Sequence, residues 1–139
     1  MSNGYLGVSR HTLENGNRLI IPSRFRELLA PEFVLFKSPD GCLSIYDKEN
    51  FDEILRQTRL LTNTPEGRAK ARTITRAARY IQADKQGRFT LPADFISYSK
   101  LGDVIYLTGE GNRLEIWSEE AYLSQDETLT PDMYPEIFY

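Results

Sequence analysis

Residues 84–92 read Asp-Lys-Gln-Gly-Arg-Phe-Thr-Leu-Pro, and an edited copy, Glu-Asn-Gly-Asn-Arg-Leu-Ile-Ile-Pro, stands seventy positions earlier at residues 14–22. The two stretches superpose without a gap, which places Arg18 on Arg88 and Pro22 on Pro92. In each copy an acid and a tight turn precede the arginine, and a proline ends the short apolar run that follows. The chain therefore uses one pattern twice.

The match continues downstream of both copies. Residues 34–36 (Val-Leu-Phe) fall on 104–106 (Val-Ile-Tyr), and after one inserted residue 43–46 (Leu-Ser-Ile-Tyr) fall on 114–117 (Leu-Glu-Ile-Trp). Each half is a supersecondary unit too small to bury its own apolar face. We therefore expect the two halves to pack on each other around a shared core.

Composition excludes several classes of protein. The 139 residues, 40% of them apolar, suit one compact domain or two half-domains with a common core. No apolar run is long enough to span a membrane and the polar start lacks the features of a signal peptide, so we expect a cytosolic protein. The single cysteine, Cys42, and the single histidine, His11, exclude a disulfide and a cysteine-based zinc site within one chain. We expect no metal, no cofactor and no enzymatic activity.

Charge is divided unevenly along the chain. The net charge of −3 conceals 16 Lys and Arg against 11 Asp and Glu in residues 1–102, and one Arg against nine acids in residues 103–139. Both copies of the repeated pattern lie in the basic part. This distribution favours a polyanionic partner despite the low overall pI.

Turn and capping residues predict the order of the elements. A strand over residues 5–13 leads into the Asn15-Gly16 turn and returns over 18–21 as a hairpin. A short helix with Ser23 as its cap follows, and then a second hairpin over 33–37 and 42–46.

A pair of helices is predicted to link the halves. Asp47 caps the first helix, and Thr64 caps the second, which runs to about Gln82. Its outer face carries four arginines, which are Arg68, Arg72, Arg76 and Arg79. The second half then repeats the first and ends in a helix capped by Ser118. We divide the chain into a first repeat (5–52), a linking helix pair (53–82), a second repeat (83–124) and an acidic, aromatic tail (125–139).

The repeated acid, turn, arginine, apolar run and proline, with the closing stretch Gly-Asn-Arg-Leu-Glu-Ile-Trp at 111–117, resembles the MraZ family over roughly residues 4–124. The resemblance implies an α+β fold in which the repeats form a duplicated swapped-hairpin β-barrel, double-psi-like and of the AbrB and SpoVT type, with peripheral helices. It also implies a bacterial transcription factor that forms closed rings and binds repeated promoter boxes upstream of the division and cell-wall gene cluster. The implied partners are double-stranded DNA on the nucleoid and further copies of the chain, and no membrane.

The first copy departs from the family's Asp-x-x-Gly-Arg motif. The second copy has Asp84, Gly87 and Arg88, whereas the first has Glu14 for the acid and Asn17 at the glycine position. Asn is the residue other than Gly that best tolerates left-handed backbone geometry. The first turn can therefore persist, and its register stays open.

The residues that we predict to bind DNA lie on or beside the two turns. They are Arg10, His11, Asn17, Arg18, Lys85, Gln86 and Arg88. Arginine can bind phosphates or take guanine O6 and N7 with both arms of its guanidinium. The alternative is structural: Arg18 and Arg88 each pair with the acid four residues earlier and brace the turn.

Three further alternatives stay open. The arginine stripe of the second linking helix binds either phosphates or the acidic second half of a neighbouring subunit. The whole protein is either a sequence-specific DNA-binding regulator or a structural ring with weakened DNA binding. The tail is either a flexible end or an arm that docks on a neighbour.

Overall fold

The computed structural model describes residues 4–130 and 132–138. Residues 1–3 of the polar start, and Pro131 and Tyr139 of the predicted tail, lie outside them. The chain is α+β, as expected. The strands are β1 (Val8–Thr12), β2 (Arg18–Ile20), β3 (Glu32–Lys37), β4 (Leu43–Tyr46), β5 (Ala78–Gln82), β6 (Arg88–Thr90), β7 (Val104–Gly109) and β8 (Leu114–Ser118). The helices are α1 (Ser23–Arg26), α2 (Lys48–Arg59), α3 (Pro65–Arg76), α4 (Ala93–Ser99), α5 (Glu119–Leu123) and α6 (Pro135–Phe138).

The two halves exchange strands. A six-stranded antiparallel sheet runs in the order β1-β7-β8-β4-β3-β5, and β2 pairs with β6 in a separate two-stranded ribbon. The first strand of each half thus pairs with a strand of the other half, β1 with β7 and β5 with β3. Among the described strands the large sheet keeps two edges, β1 and β5, so the expected closed barrel is not formed by this pairing.

The hairpin predicted at Asn15-Gly16 forms only its turn. A single bridge between Glu14 and Arg18 closes it, and the flanking strands then separate to different partners. Five residues of β1 pair with β7, from Val8 opposite Thr108 onward, while β2 pairs with β6. The prediction was wrong because a hairpin would pair β1 with a strand of only three residues, whereas β7 offers a longer ladder.

The second linking helix is shorter than predicted. Thr64 caps it as expected, its hydroxyl oxygen accepting the N–H of Gly67 at 3.0 Å, but α3 ends at Arg76 and residues 78–82 form β5. β5 pairs with the free edge of β3, which satisfies backbone groups that would otherwise stay open. This tertiary contact outweighs the helical pattern that we extended to Gln82.

Capping predictions at the other helices gave mixed results. Asp47 caps α2, since its carboxylate accepts the Asn50 N–H at 2.7 Å, and the Ser118 hydroxyl oxygen accepts the Ala121 N–H at 3.1 Å at the start of α5. Ser23 is not a cap. It is the first residue of α1, and the residue at the cap position is Pro22, which makes no side-chain bond. The proline fixes the chain direction there without a polar cap.

The core occupies both faces of the large sheet. On one face, Phe33 and Leu35 point into the main cluster, which the ribbon covers with Leu19 and Phe89. On the other face, α2 and α3 cover a second cluster of Val34, Phe36, Tyr46 and Phe51. Successive residues of β3 feed opposite clusters because side chains alternate along a strand. This arrangement leaves the outer face of the ribbon toward solvent.

Candidate nucleic-acid interface

The β2–β6 ribbon has one apolar face and one polar face. Leu19 lies opposite Phe89, and their side chains are 1% and 4% exposed in the main core. The neighbouring pairs, Arg18 with Thr90 and Ile20 with Arg88, therefore point the other way, because side chains alternate across a strand. Arg18 and Arg88 thus share the outward face of one ribbon, on different strands and two residues apart in register.

The two predicted turns lie at opposite ends of this ribbon and are held in the same way. The Asn17 carbonyl accepts the N–H of Leu91 at 2.9 Å, and the Gly87 carbonyl accepts the N–H of Ile21 at 2.9 Å. Asn17 has a φ of +59° and Gly87 a φ of +82°, so both adopt left-handed geometry. Asn17 therefore takes the position of the missing glycine, and the first turn has the same register as the second.

Glycine is required at residue 87 for a second reason. A Cβ there would lie 2.4 Å from Cδ of Arg26, whose side chain crosses the turn, and 3.1 Å from the Ile21 carbonyl oxygen. At the repeat equivalent of Arg26 the chain has Ile96, whose apolar side chain packs against the core. The two turns therefore tolerate different residues although their backbones match.

We expect Gly87→Ala to lower the free energy of unfolding by about 1–3 kcal/mol, since it strains a left-handed residue and crowds the Ile21 carbonyl. The Arg26 side chain can swing aside, but the carbonyl is fixed by the ribbon. Urea unfolding measures the loss. Asn17→Gly is the matched control and should cost nothing, because glycine adopts the same φ freely. A loss below about 0.5 kcal/mol for Gly87→Ala, the size of an ordinary surface change, would contradict this view of the turn.

Asp84 braces the second turn. Its Oδ1 accepts the backbone N–H groups of Gln86 and Arg88, each at 2.9 Å, and its Oδ2 accepts Nε of Arg88 at 3.0 Å. The bond from the backbone N–H of Arg88, together with its guanidinium, lowers the pKa of the Asp84 carboxyl below its ordinary value. Arg88 is thus held by its acid, as the structural alternative predicted, and its side chain keeps 35% exposure.

Glu14 braces the first turn more loosely. Its longer side chain brings Oε1 only to 3.9 Å from Nη2 of Arg18, and Nε of Arg18 donates instead to the Asn15 carbonyl at 3.3 Å. The Glu14 Oε1 atom is buried without a hydrogen-bond partner. Arg18 is 44% exposed, so of the two arginines it is the less tightly held and the more accessible.

The remaining turn residues add polar groups beside Arg18 and Arg88. Lys85 and Gln86 are exposed, and Oε1 of Gln86 accepts from Nη2 of Arg88. Asn17 is exposed next to Arg18. The structure thus gathers five of the seven predicted residues on the ribbon and its end turns.

Comparison with known proteins places the chain in a family. The model of the family described as "MraZ protein, putative antitoxin-like" matches it twice, over residues 5–73 and 74–132. The chain belongs to the MraZ family. Two matches in tandem agree with the internal repeat from which the family resemblance was inferred.

Several relatives carry the name "Transcriptional regulator MraZ". The chain is 36% identical to the one from Desulfitobacterium hafniense (strain DSM 10664 / DCB-2), over 90% of its own length and 96% of the relative's. It is 35% identical to that of Clostridium acetobutylicum, covering 89% and 88% of the two chains. For Heliobacterium modesticaldum the identity is 34%, over 96% and 93%. The similarity therefore spans nearly the whole of each MraZ chain.

Two predicted residues of this MraZ-family chain lie away from the ribbon. Arg10 and His11 are on β1 and point to opposite faces of it. Arg10 pairs with Glu119 of α5 at 3.6 Å. The ring of His11 shares a 2.7 Å hydrogen bond with Ser9, and burial, together with the Arg24 guanidinium, lowers its pKa below the ordinary value. Burial thus disfavours the charged form of His11 in this structure.

Sequence reasoning missed two basic residues of α1. Arg26 donates from Nη1 to the Gln86 carbonyl and so reaches the second turn from the first half of the chain. Arg24 lies over the Phe25 ring, with its guanidinium carbon 4.6 Å from the ring centroid. The available signal was their position within the four residues that follow Pro22. The second repeat has Asp94 and Ile96 at the equivalent places, so the repeat gave no guide to a shared role.

The arginine stripe of the MraZ-family chain is divided between two elements. Arg79 lies on β5, where it pairs with Asp94 at 3.2 Å and lies over the ring of Phe95. Arg68 donates to the Thr62 carbonyl at 3.2 Å. Arg72 and Arg76 are exposed on α3. The stripe is therefore not one continuous helical face.

Residues 4–130 and 132–138 contain neither a candidate metal site nor a candidate membrane-spanning helix. No group of three or more His, Cys, Asp or Glu side chains in these ranges is placed to hold a metal ion. No helix in the same ranges has the length and apolar character needed to cross a bilayer.

Proposed function

We propose that this protein is a bacterial transcriptional regulator of the MraZ type that binds promoter DNA through the outer face of the β2–β6 ribbon. The observation that carries the proposal is the presence of two accessible arginines, Arg18 and Arg88, on one solvent-facing ribbon whose other face is anchored in the core. The names of its relatives support the regulatory role.

The ribbon has dimensions that suit the major groove of DNA. A two-stranded antiparallel ribbon fits that groove, where guanine offers O6 and N7 to a guanidinium. Diagonal neighbours on such a ribbon are separated by about 7–8 Å. Since successive bases are about 3.4 Å apart, Arg18 and Arg88 are spaced for contacts roughly two base pairs apart.

The acids beside the arginines do not prevent such contacts. Exposed ion pairs contribute little because water screens them, and a guanidinium can exchange one acceptor for another. Arg18 is the less constrained of the two. Asp84 holds the guanidinium of Arg88 in one orientation, as a supporting carboxylate does for an arginine that contacts a base. In this proposal Lys85 and Asn17, at the ends of the ribbon, contact the DNA backbone on either side.

Assembly would multiply these contacts. We propose that copies of the chain form a closed ring on a duplicated swapped-hairpin framework, so that successive ribbons bind successive repeated boxes at high effective concentration. The exchange of strands between the halves supports this framework. In this proposal the boxes lie upstream of the division and cell-wall gene cluster, and the protein acts in the cytoplasm on the nucleoid.

Binding should depend steeply on salt, because neutralised phosphates release counterions. With three cations engaged per ribbon, Arg18, Lys85 and Arg88, we expect the affinity to fall roughly forty-fold between 50 and 200 mM salt. Fluorescence anisotropy with the DNA upstream of the protein's own gene measures this, with a shuffled sequence of equal composition as control. Equal affinities at both salt concentrations would contradict the proposal.

A structural ring with weakened DNA binding is the second candidate. The ion pairs Arg18–Glu14 and Arg88–Asp84 favour it, because both arginines already have partners. Light scattering run beside the binding titration separates the two functions. A large assembly that binds both DNA sequences equally weakly would support the structural ring.

A further inference from the structure

An open groove separates α2 from α3 on the side of the protein away from the ribbon. Its volume is about 340 Å³, within the range of pockets that hold a sizeable ligand. Leu55, Ala71 and Thr75 contribute to its floor, and three arginines contribute to its lining, which are Arg59, Arg68 and Arg72. Among the described residues that line it there is no Asp or Glu. The groove therefore favours a partner that is both apolar and acidic.

The C-terminal segment of the chain has that chemistry. Residues 125–139 contain four acids and no Lys or Arg. Three of its apolar side chains are largely in solvent: Leu129 is 83% exposed, Tyr134 61% and Ile137 69%. Such exposure of large apolar groups beside acids is typical of a segment that binds elsewhere.

Groove and segment do not fill each other within one chain. α2 and α3 pack against β3, β4 and β5, whereas α5, from which the segment leaves, packs against β7 and β8. The apolar side chains of the segment stay exposed in the same structure that shows the groove open. A second copy of the chain offers a C-terminal segment to the groove of the first copy, and a groove to the segment of the first copy.

We propose that residues 132–137 of the C-terminal segment of one subunit dock in the α2–α3 groove of a neighbouring copy. The inference rests on the ring assembly proposed above and names the contact that closes it. Short amphipathic segments bind such grooves through apolar anchors. Asp132 and Glu136 would pair with the arginines of the rim, while Tyr134 and Ile137 cover the apolar floor. A DNA phosphate could use the arginines but would leave that floor uncovered.

Cross-linking between differently tagged full-length chains tests the docking. One chain carries Ala71→Cys in the groove, the other carries Ile137→Cys, and a short bis-maleimide joins thiols that lie close together. The native Cys42 is 1% exposed and does not compete. We expect cross-linked pairs of the two chains at least ten times more often than with Lys70→Cys, the matched control on α3 that does not line the groove. Adding Arg72→Glu to the Ala71→Cys chain should remove most of the product, and Lys70→Glu in the same place should not.

Each other outcome overturns the docking proposal. These outcomes are equal cross-linking at residues 70 and 71, cross-linking only when both cysteines are in one chain, and protection of the thiol introduced at residue 71 by DNA instead of by the segment. DNA binding is measured on the same samples. If cross-linking is lost while DNA binding is intact, only the docking proposal is contradicted. If cross-linked rings form but do not bind DNA, only the proposed function is contradicted.

Discussion

Replacing Arg18 and Arg88 together by alanine is expected to weaken binding to the promoter DNA by at least about 30-fold. Each bidentate arginine contact contributes about 1–3 kcal/mol of discrimination, so the loss of both amounts to about 2–6 kcal/mol. The fold should persist, because both side chains lie outside the core, on the outer face of the ribbon. Anisotropy titration at fixed salt measures the affinity, and urea unfolding verifies the fold.

The matched control is the double variant Lys70→Ala/Arg76→Ala. It also removes two positive charges, but from exposed positions on α3, away from the ribbon. If the ribbon is the binding surface, this control leaves the affinity nearly unchanged. Equal losses in the two double variants would mean that total charge, and not the ribbon, determines binding.

Single substitutions separate the two roles of an arginine. Arg18→Lys keeps the charge for a phosphate but cannot make the bidentate contact with guanine. We therefore expect it to lose preference for the promoter sequence over a shuffled one while keeping most of the salt dependence. Arg18→Ala should lose the same sequence preference and should also lower the salt dependence by the share of one of the three cations.

The largest loss of stability is expected for Phe89→Ala, at about 3–5 kcal/mol. Phe89 is 4% exposed, lies opposite Leu19 in the ribbon and meets Phe33 edge to face with ring centroids 5.1 Å apart. Removing its ring leaves a cavity at the point where the ribbon attaches to the sheet. Urea or thermal unfolding measures the change.

Thr90→Ala is the control for this substitution. Thr90 is the next residue of β6, and it is exposed on the outer face of the ribbon. We expect a change within about 0.5 kcal/mol there, as for most surface substitutions. A loss below about 1 kcal/mol for Phe89→Ala would show that the ribbon is not anchored through this ring.

Local signals in the sequence predicted much of the fold. The caps Asp47, Thr64 and Ser118 each depend on a side chain and a backbone N–H that are close together along the chain, and all three were confirmed. The strand β5 was missed because its pairing with β3 is not local, and residues 78–82 continue the periodicity of α3. Extending the repeat upstream by the same seventy positions would have placed β1 on β5 and found it.

The site was predicted in part. The turn residues and the repeat predicted the two turns and the equivalence of Arg18 and Arg88, and the structure shows that Asn17 takes the place of Gly87. That the two arginines share one ribbon depends on pairing between the halves, which no local pattern contains. The approach of Arg26 to the second turn likewise depends on tertiary packing.

Methylation interference tests most directly whether the outer face of the ribbon binds the major groove. Promoter DNA is methylated sparsely at guanine N7 and adenine N3, bound to the protein, and the bound and free fractions are compared base by base. We predict that N7 methylation at guanines of the repeated boxes blocks binding, and that Arg18→Ala removes part of this pattern. Interference only at adenine N3 in the minor groove, or at no base, would contradict the account.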